Sequence, residues 1–325
     1  MDIRISFDYE LFFGSVSGSA KKCIIEPTQK LIDIASKYHV PFIFFVDAGY
    51  LVQLKKNSHH SSCKEDYEAI SNQLKQLVFL GHEIGLHIHP HWEDCKYVNE
   101  KWQINTSRYK LSCFSEVDVE RIITTYHEAI IEITGKPCQS YRAGGWCVQP
   151  FEFIKKGLIK NNIFIDSSVY YNGFHDSKAH SYNFLNAPKK SIWSFDDDPI
   201  EEASSGQFKE IAISYDKLSP FFYWNLYVKM RLNPLLYKPM GDGGWLIDKK
   251  RLYKHFYSTT NHFACADGYF ASRLPIILTN LERDNQKSMM VLSHPKSMAN
   301  YSFNALDNFI KIILEKKHQV VTFVR

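Results

Sequence analysis

The 325-residue sequence predicts an α/β fold whose parallel strands are joined by helices and close into a distorted (β/α) barrel. Three observations carry that expectation. Strand-like and helix-like runs alternate at short spacing through the first third of the chain, the pattern of parallel strands with helical crossovers. The length suits a single large α/β unit. Polar residues gather just past the ends of apolar runs, where a barrel keeps its reactive side chains.

The elements follow in order. Ile3, Ile5 and Phe7 alternate with Arg4, Ser6 and Asp8, the period of a strand, and this strand ends in Asp8-Tyr9-Glu10. Glu26-Pro27-Thr28 opens a helix that Lys37-Tyr38-His39 closes. Pro41 to Asp47 reads as a fully buried strand, residues 65–79 as an amphipathic helix, and Glu83 to Ile88 as a short strand running into a turn at Pro90. The polar stretch from Glu93 to Ser115 is either a lid or a surface insertion. Val117 to Thr134 is a helix ended by Gly135-Lys136-Pro137, Gln139 to Arg142 a strand, 149–158 a short helix, and Ile163 to Ser168 a strand ending in polar residues. Residues 170–248, rich in aromatic side chains and poor in periodicity, read as short strands and loops wrapped over one end of the barrel. Helices near 249–258 and 266–282 precede a buried strand over Ser288 to Ser293 that runs into His294, and a helix at 302–316 and a strand over Gln319 to Val324 complete the pattern. The organisation expected is one domain over 1–325 with an insertion at about 170–248.

Composition narrows the class. Hydrophobic residues make up 45% and charged residues 23%, so there is ample material for a core. Lys plus Arg exceed Asp plus Glu by only 39 − 35 = 4, with no dense basic run, which argues against nucleic acid as a partner. No apolar run approaches the ~18 residues of a membrane-spanning helix. The beginning of the sequence lacks the basic, apolar and cleavage segments of a signal peptide, and the seven scattered cysteines form no Cys-x-x-Cys pair, so a cytoplasmic setting is expected.

Chemistry concentrates in Gly81-His82-Glu83-Ile84-Gly85-Leu86-His87-Ile88-His89-Pro90-His91-Trp92, which holds four of the fourteen histidines. Pro90 forbids a helix there, so the ligands would leave a strand end together and converge on one divalent metal. The polar groups at the other strand ends are Asp8, Glu10, Arg142, Asp166 and His294.

Taken together and in this order, these segments resemble the polysaccharide deacetylases of carbohydrate esterase family 4. Ser6-Phe7-Asp8-Tyr9-Glu10 looks like the first motif, Gly81 to His91 like its His-x-x-x-His motif, and Tyr141-Arg142-Ala143-Gly144-Gly145 like the arginine motif with Gly144 where proline is usual. Ile165-Asp166-Ser167-Ser168 and Leu292-Ser293-His294-Pro295 look like later motifs, whereas the middle of the chain is unmatched. The resemblance implies a barrel of about seven parallel strands with long loops over its C-terminal face. It also implies metal-dependent removal of an N-acetyl group from an amino sugar, the metal being usually zinc. On that scheme Asp8 is the base, His294 the acid and Arg142 the partner of Asp8, with Asp166 assigned to the catalytic set; Asp166 also reads as a helix N-cap. His87 and His91 are ligands, and Glu10 replaces the usual second aspartate, whose slot is Tyr9. Strand alternation supports that exchange, since Asp8 and Glu10 share a face that Tyr9 does not. His89 is left as an alternative ligand, a neighbour of the ligands or a satisfied loop histidine, and Trp92 and Trp146 as pocket walls or core.

The expected substrate is an intermediate of surface-polysaccharide biosynthesis. The competing expectations are a degenerate sugar- or metal-binding domain and an amidohydrolase acting on a small non-sugar amide.

Overall fold

A computed structural model of the protein describes residues 1–14, 16–244 and 253–324. Its centre is a nine-stranded sheet: β1 (Asp2–Tyr9), β2 (Ile43–Asp47), β3 (Glu83–Ile88), β4 (Ser140–Ala143), β5 (Ile165–Asp166), β6 (Ile192–Phe195), β7 (Phe208–Ile211), β8 (Ser288–Ser293) and β9 (Gln319–Val320). The order is β6-β7-β5-β4-β3-β2-β1-β8, with β9 beside the start of β1. Every pairing is parallel except that of β6 with β7. The two ends of the sheet approach each other. Ser214, just past β7, donates its amide to Met290 O of β8 (2.9 Å), and Leu292 of β8 donates to Ala264 O (2.9 Å), so the sheet curls into a nearly closed barrel.

The α-helices are α1 (Glu26–Tyr38), α2 (Ala48–Lys56), α3 (Ser61–Phe79), α4 (Glu116–Thr134), α5 (Glu152–Lys160), α6 (Pro220–Leu232), α7 (Pro234–Tyr237), α8 (Leu274–Arg283) and α9 (Asn300–Glu315), and among the described residues three two-stranded sheets and short 3-10 turns lie in the connections. Their ends obey local chemistry. His39 closes α1 in the left-handed region (φ 54°), its amide bonding to Ala35 O and Ser36 O. The Ser115 hydroxyl accepts from the Asp118 amide to start α4, and Gly135 ends it at φ 71°.

Two helices depart from the expectation. Residues 48–56 follow β2 as α2, although Gly49 and Val52 are weak helix formers. Gly49 is there because the helix runs against Trp92: a Cβ at 49 would lie 2.7 Å from the indole. Tertiary packing outweighs propensity. In the stretch expected as short strands and loops, 170–248, the strands are present, but Pro220–Leu232 forms a thirteen-residue helix with Pro220 in its first turn. Of the helix expected near 249–258, residues 249–252 lie outside the described residues; Tyr253 and Lys254 are helical and a turn follows over 255–257.

The core fills the barrel and the layer beneath the helices. Ile3, Ile5, Phe7, Phe44, Leu86 and Val291 are fully buried on the strands, and Leu31, Leu74, Ile122 and Ile310 close over them from the helices. Every strand end that carries a candidate residue is therefore held by neighbours on both sides.

Candidate active site

Strands β1, β2, β3 and β4 lie side by side in register: Asp8 stands beside Phe45, Asp47 beside His87 and His87 beside Arg142. The alternation of β1 sends Asp8 and Glu10 one way and Tyr9 the other, where its hydroxyl donates to Gln73 (2.8 Å). On the inner side, Arg142 Nη1 donates to Asp8 Oδ1 (2.6 Å) and to Ser6 Oγ (3.0 Å), and its Nε to Ser167 O (2.8 Å). The guanidinium lies over the Phe45 ring at 4.0 Å. Asp8 is thus fixed in place with Oδ2 turned toward His87 Nε2 (3.7 Å) and His294 Nε2 (3.9 Å).

Glu10, His87 and His89 form the one group of potential metal ligands found among the described residues. Glu10 Oε2 stands 2.6 Å from His89 Nε2 and 3.2 Å from His87 Nε2, and the two imidazole nitrogens are 3.1 Å apart. Donors about 2.0–2.1 Å from a tetrahedral zinc are themselves roughly 3.3 Å apart; the two separations from His87 are close to that, and the 2.6 Å Glu10–His89 contact, a hydrogen bond here, would have to open by about 0.7 Å. His87 Nδ1 lies 2.8 Å from Arg142 O, which can only accept, so Nδ1 carries a proton and Nε2 is the nitrogen aimed at the cluster, free to ligate once a metal displaces its own proton.

Electrostatics point the same way. Burial opposes charge on His87, yet Asp8 and Glu10 raise its pKa to about 9: the two carboxylates demand a positive charge between them. Burial pushes His89 down to about 4 and His91 well below the usual histidine range, leaving neutral imidazoles. Burial would raise Glu10, but the adjacent Lys296 ammonium and His89 hold it well below the usual carboxylate range.

His91, expected as a ligand, does not join this cluster. The chain enters a 3-10 turn at Pro90, and the His91 ring stacks instead on Tyr109 (5.4 Å) and Trp92 (5.4 Å), with neither nitrogen hydrogen-bonded. Asp166 is also elsewhere. It is buried with Ser168, whose hydroxyl it accepts at 2.7 Å, and with Glu210. Burial raises both carboxyls, and Asp166 adds to the rise at Glu210, so one proton is held between them. Trp146 faces the cavity, whereas Trp92 is core, its indole donating to Asp47 (2.6 Å).

Two residues that the sequence reading passed over complete the site. Asp267 accepts from the His294 amide (2.9 Å) and ring Nδ1 (2.8 Å). Burial opposes a charge on His294, but Asp267, with Asp8 and Glu10 behind it, raises its pKa above the ordinary value, which favours the protonated ring. Lys296 donates to Glu10 Oε1 (2.7 Å) and Leu11 O (2.6 Å), which leaves Oε2 for the histidines. Asp267 had a readable sign, an acid beyond a short apolar run like Asp8; Lys296 had only its place two residues after His294.

These groups form the polar end of a cavity of about 890 Å³. Phe13, Tyr109, Trp146, Phe263, Leu226 and Met230 contribute its apolar walls. Tyr109 comes from the 93–115 stretch, which therefore closes over the site.

The barrel, with its polar strand ends opening on one cavity, has the fold of the polysaccharide deacetylases. A candidate polysaccharide deacetylase from Mycobacterium smegmatis superposes with TM-score 0.50 and 15% identity over 100% of this chain and 93% of its own. Looser likenesses include a family 4 acetyl xylan esterase from Clostridium thermocellum with a cobalt ion (TM-score 0.42, 11% identity, 99% and 88% covered). Another is a family pseudoenzyme from Bacillus anthracis (TM-score 0.42, 9% identity, 98% and 62% covered). No family model matches the sequence, and no curated protein does.

Proposed function

We propose that the protein is a metal-dependent deacetylase that hydrolyses the N-acetyl group of an amino sugar. The observation that carries this is the meeting, in one cavity, of an Arg-held carboxylate, a three-donor cluster and a histidine whose ring is held by a carboxylate. Glu10, His87 and His89 would hold one divalent cation, zinc being the first choice for a set of two imidazoles and a carboxylate. Such a cation supplies Lewis acidity to an acyl oxygen and lowers the pKa of water.

The chain's own groups do the rest. Asp8, whose Oδ1 is occupied by Arg142, offers Oδ2 as the base that takes a proton from the attacking water. His294, protonated and held by Asp267 on Nδ1, presents Nε2 to the leaving nitrogen as the acid. Tyr109 and Trp146 give aromatic faces against which a sugar ring can lie. The cavity volume suits a sugar better than a small amide. We infer an intermediate of polysaccharide assembly in a reducing, cytoplasmic setting as the substrate, supported by the seven free cysteines. The chain is read as one barrel domain over 1–325 with an insertion at about 170–248, within which β6 and β7 join the central sheet.

One observation favours a second reading, a binding domain without turnover: Lys296 already places a cation on Glu10. Acetate release from a panel of N-acetylated mono- and oligosaccharides by zinc-loaded protein separates the two. Release supports the deacetylase; stoichiometric zinc and sugar binding without acetate supports the binding domain.

A further inference from the structure

Helix α6 is apolar on two opposite sides. Phe222 and Tyr223 are buried with Leu218, and Leu226 and Met230 on that inward side line the active-site cavity. Phe221, Trp224, Val228 and Leu232, three or four residues apart, form a stripe on the outward side. Phe221 is 77%, Trp224 49% and Leu232 81% exposed, and Leu235 just beyond is 83% exposed. Phe256 packs an aromatic ring on this stripe, at 4.8 Å from Trp224, and Tyr227 of the same helix meets Trp224 edge-on at 6.3 Å. A helix apolar all round needs both sides covered, and a patch of this kind marks an interaction surface.

The charge of the segment says what covers it. Residues 217–241 contain Lys217, Lys229, Arg231 and Lys238 and no Asp or Glu, an excess of 4 − 0 = 4 that equals the net charge of the whole chain. The Arg231 guanidinium lies over the Tyr227 ring (4.6 Å), beside the stripe. Exposed Trp, Phe and Leu flanked by Lys and Arg is the composition of helices that lie in the headgroup layer of a bilayer.

We propose that α6 and the turn through Lys238 dock the protein on an anionic lipid bilayer. Phe221, Trp224, Leu232 and Leu235 enter the headgroup boundary, and Lys229, Arg231 and Lys238 meet the lipid phosphates. Because the inward side of the same helix walls the cavity, docking sets the active site at the membrane surface. The proposal goes beyond the reaction and does not depend on it.

Co-sedimentation of the full chain with vesicles of equal parts phosphatidylglycerol and phosphatidylcholine, and with phosphatidylcholine alone, is the test. The native chain is expected to bind the anionic vesicles, less so at high salt. Binding should fall roughly tenfold or more in Lys229→Glu/Arg231→Glu and in Phe221→Ser/Trp224→Ser/Leu232→Ser, with unchanged circular dichroism. Three results would overturn it: native protein left in the supernatant, surface variants that sediment as well as the native chain, or a lipid-free dimer that the triple variant abolishes and that ignores vesicles. Acetate release enters none of these readings, so failure here is separable from failure of the proposed reaction.

Discussion

Gly144 shows how closely single residues are fitted to this site. A Cβ at 144 would lie 2.5 Å from both His89 Nδ1 and Ile88 O, so a glycine there makes room for the His89 ring. Gly144→Ala should push His89 off the cluster and weaken zinc binding by about tenfold or more. Isothermal titration with zinc checks it, beside a thermal melt that measures the stability lost to the same clash with Ile88 O. Asp267 gives a second prediction. It raises the pKa of His294, so the ring holds its proton to higher pH than an ordinary histidine and loses it as pH rises through that raised value. Turnover should therefore fall on the alkaline side. Asp267→Asn should move that limb to lower pH, because an amide does not stabilise the imidazolium. An alkaline limb in kcat that stays put would assign it to another group. The residues that were readable were those at ends of periodic runs: Asp8, Glu10, His87, Arg142 and His294. The choice between His89 and His91 set two regularities against each other. The His-x-x-x-His spacing favours 91, but alternation puts 87 and 89 on one face, and the turn at Pro90 then carries His91 away from Glu10.

Strands carry the site because each strand fixes its neighbour. Gly85, in the middle of β3, lies against the Phe45 ring, where a Cβ would come within 2.6 Å, and that ring supports the Arg142 guanidinium. Gly85→Ala should cost about 1–3 kcal/mol by overpacking and lower kcat through Arg142 and Asp8 while zinc stoichiometry holds. Denaturant unfolding and metal analysis on one preparation measure both. Most elements were legible because their apolar period agreed with their caps, as in α1 and α4. Helices α2 and α6 were not. The first has a glycine demanded by Trp92, and the second lacks a polar side, so neither shows the amphipathic period that identifies a surface helix.

At the scale of the molecule, the alternation of strands and helices was enough to foresee the barrel, and its closure was not. The junction runs through Ser214 and Ala264, single residues outside the strands whose backbone groups join β7 to β8, and a short irregular contact leaves no period in a sequence. The stretch that follows β5 is where this chain supplies its own cavity wall, with Leu226, Met230 and Phe263 facing the polar groups across the pocket. The central claim is that one cation, held by Glu10, His87 and His89, serves an Asp8–His294 pair in amide hydrolysis. Acetate release from an N-acetylated sugar, followed as zinc is returned to chelated protein, tests it most directly. The account predicts activity that rises to a plateau at one zinc per chain and is absent from His89→Ala at the same zinc. Full activity in the metal-free protein, or an unchanged plateau in His89→Ala, would contradict it.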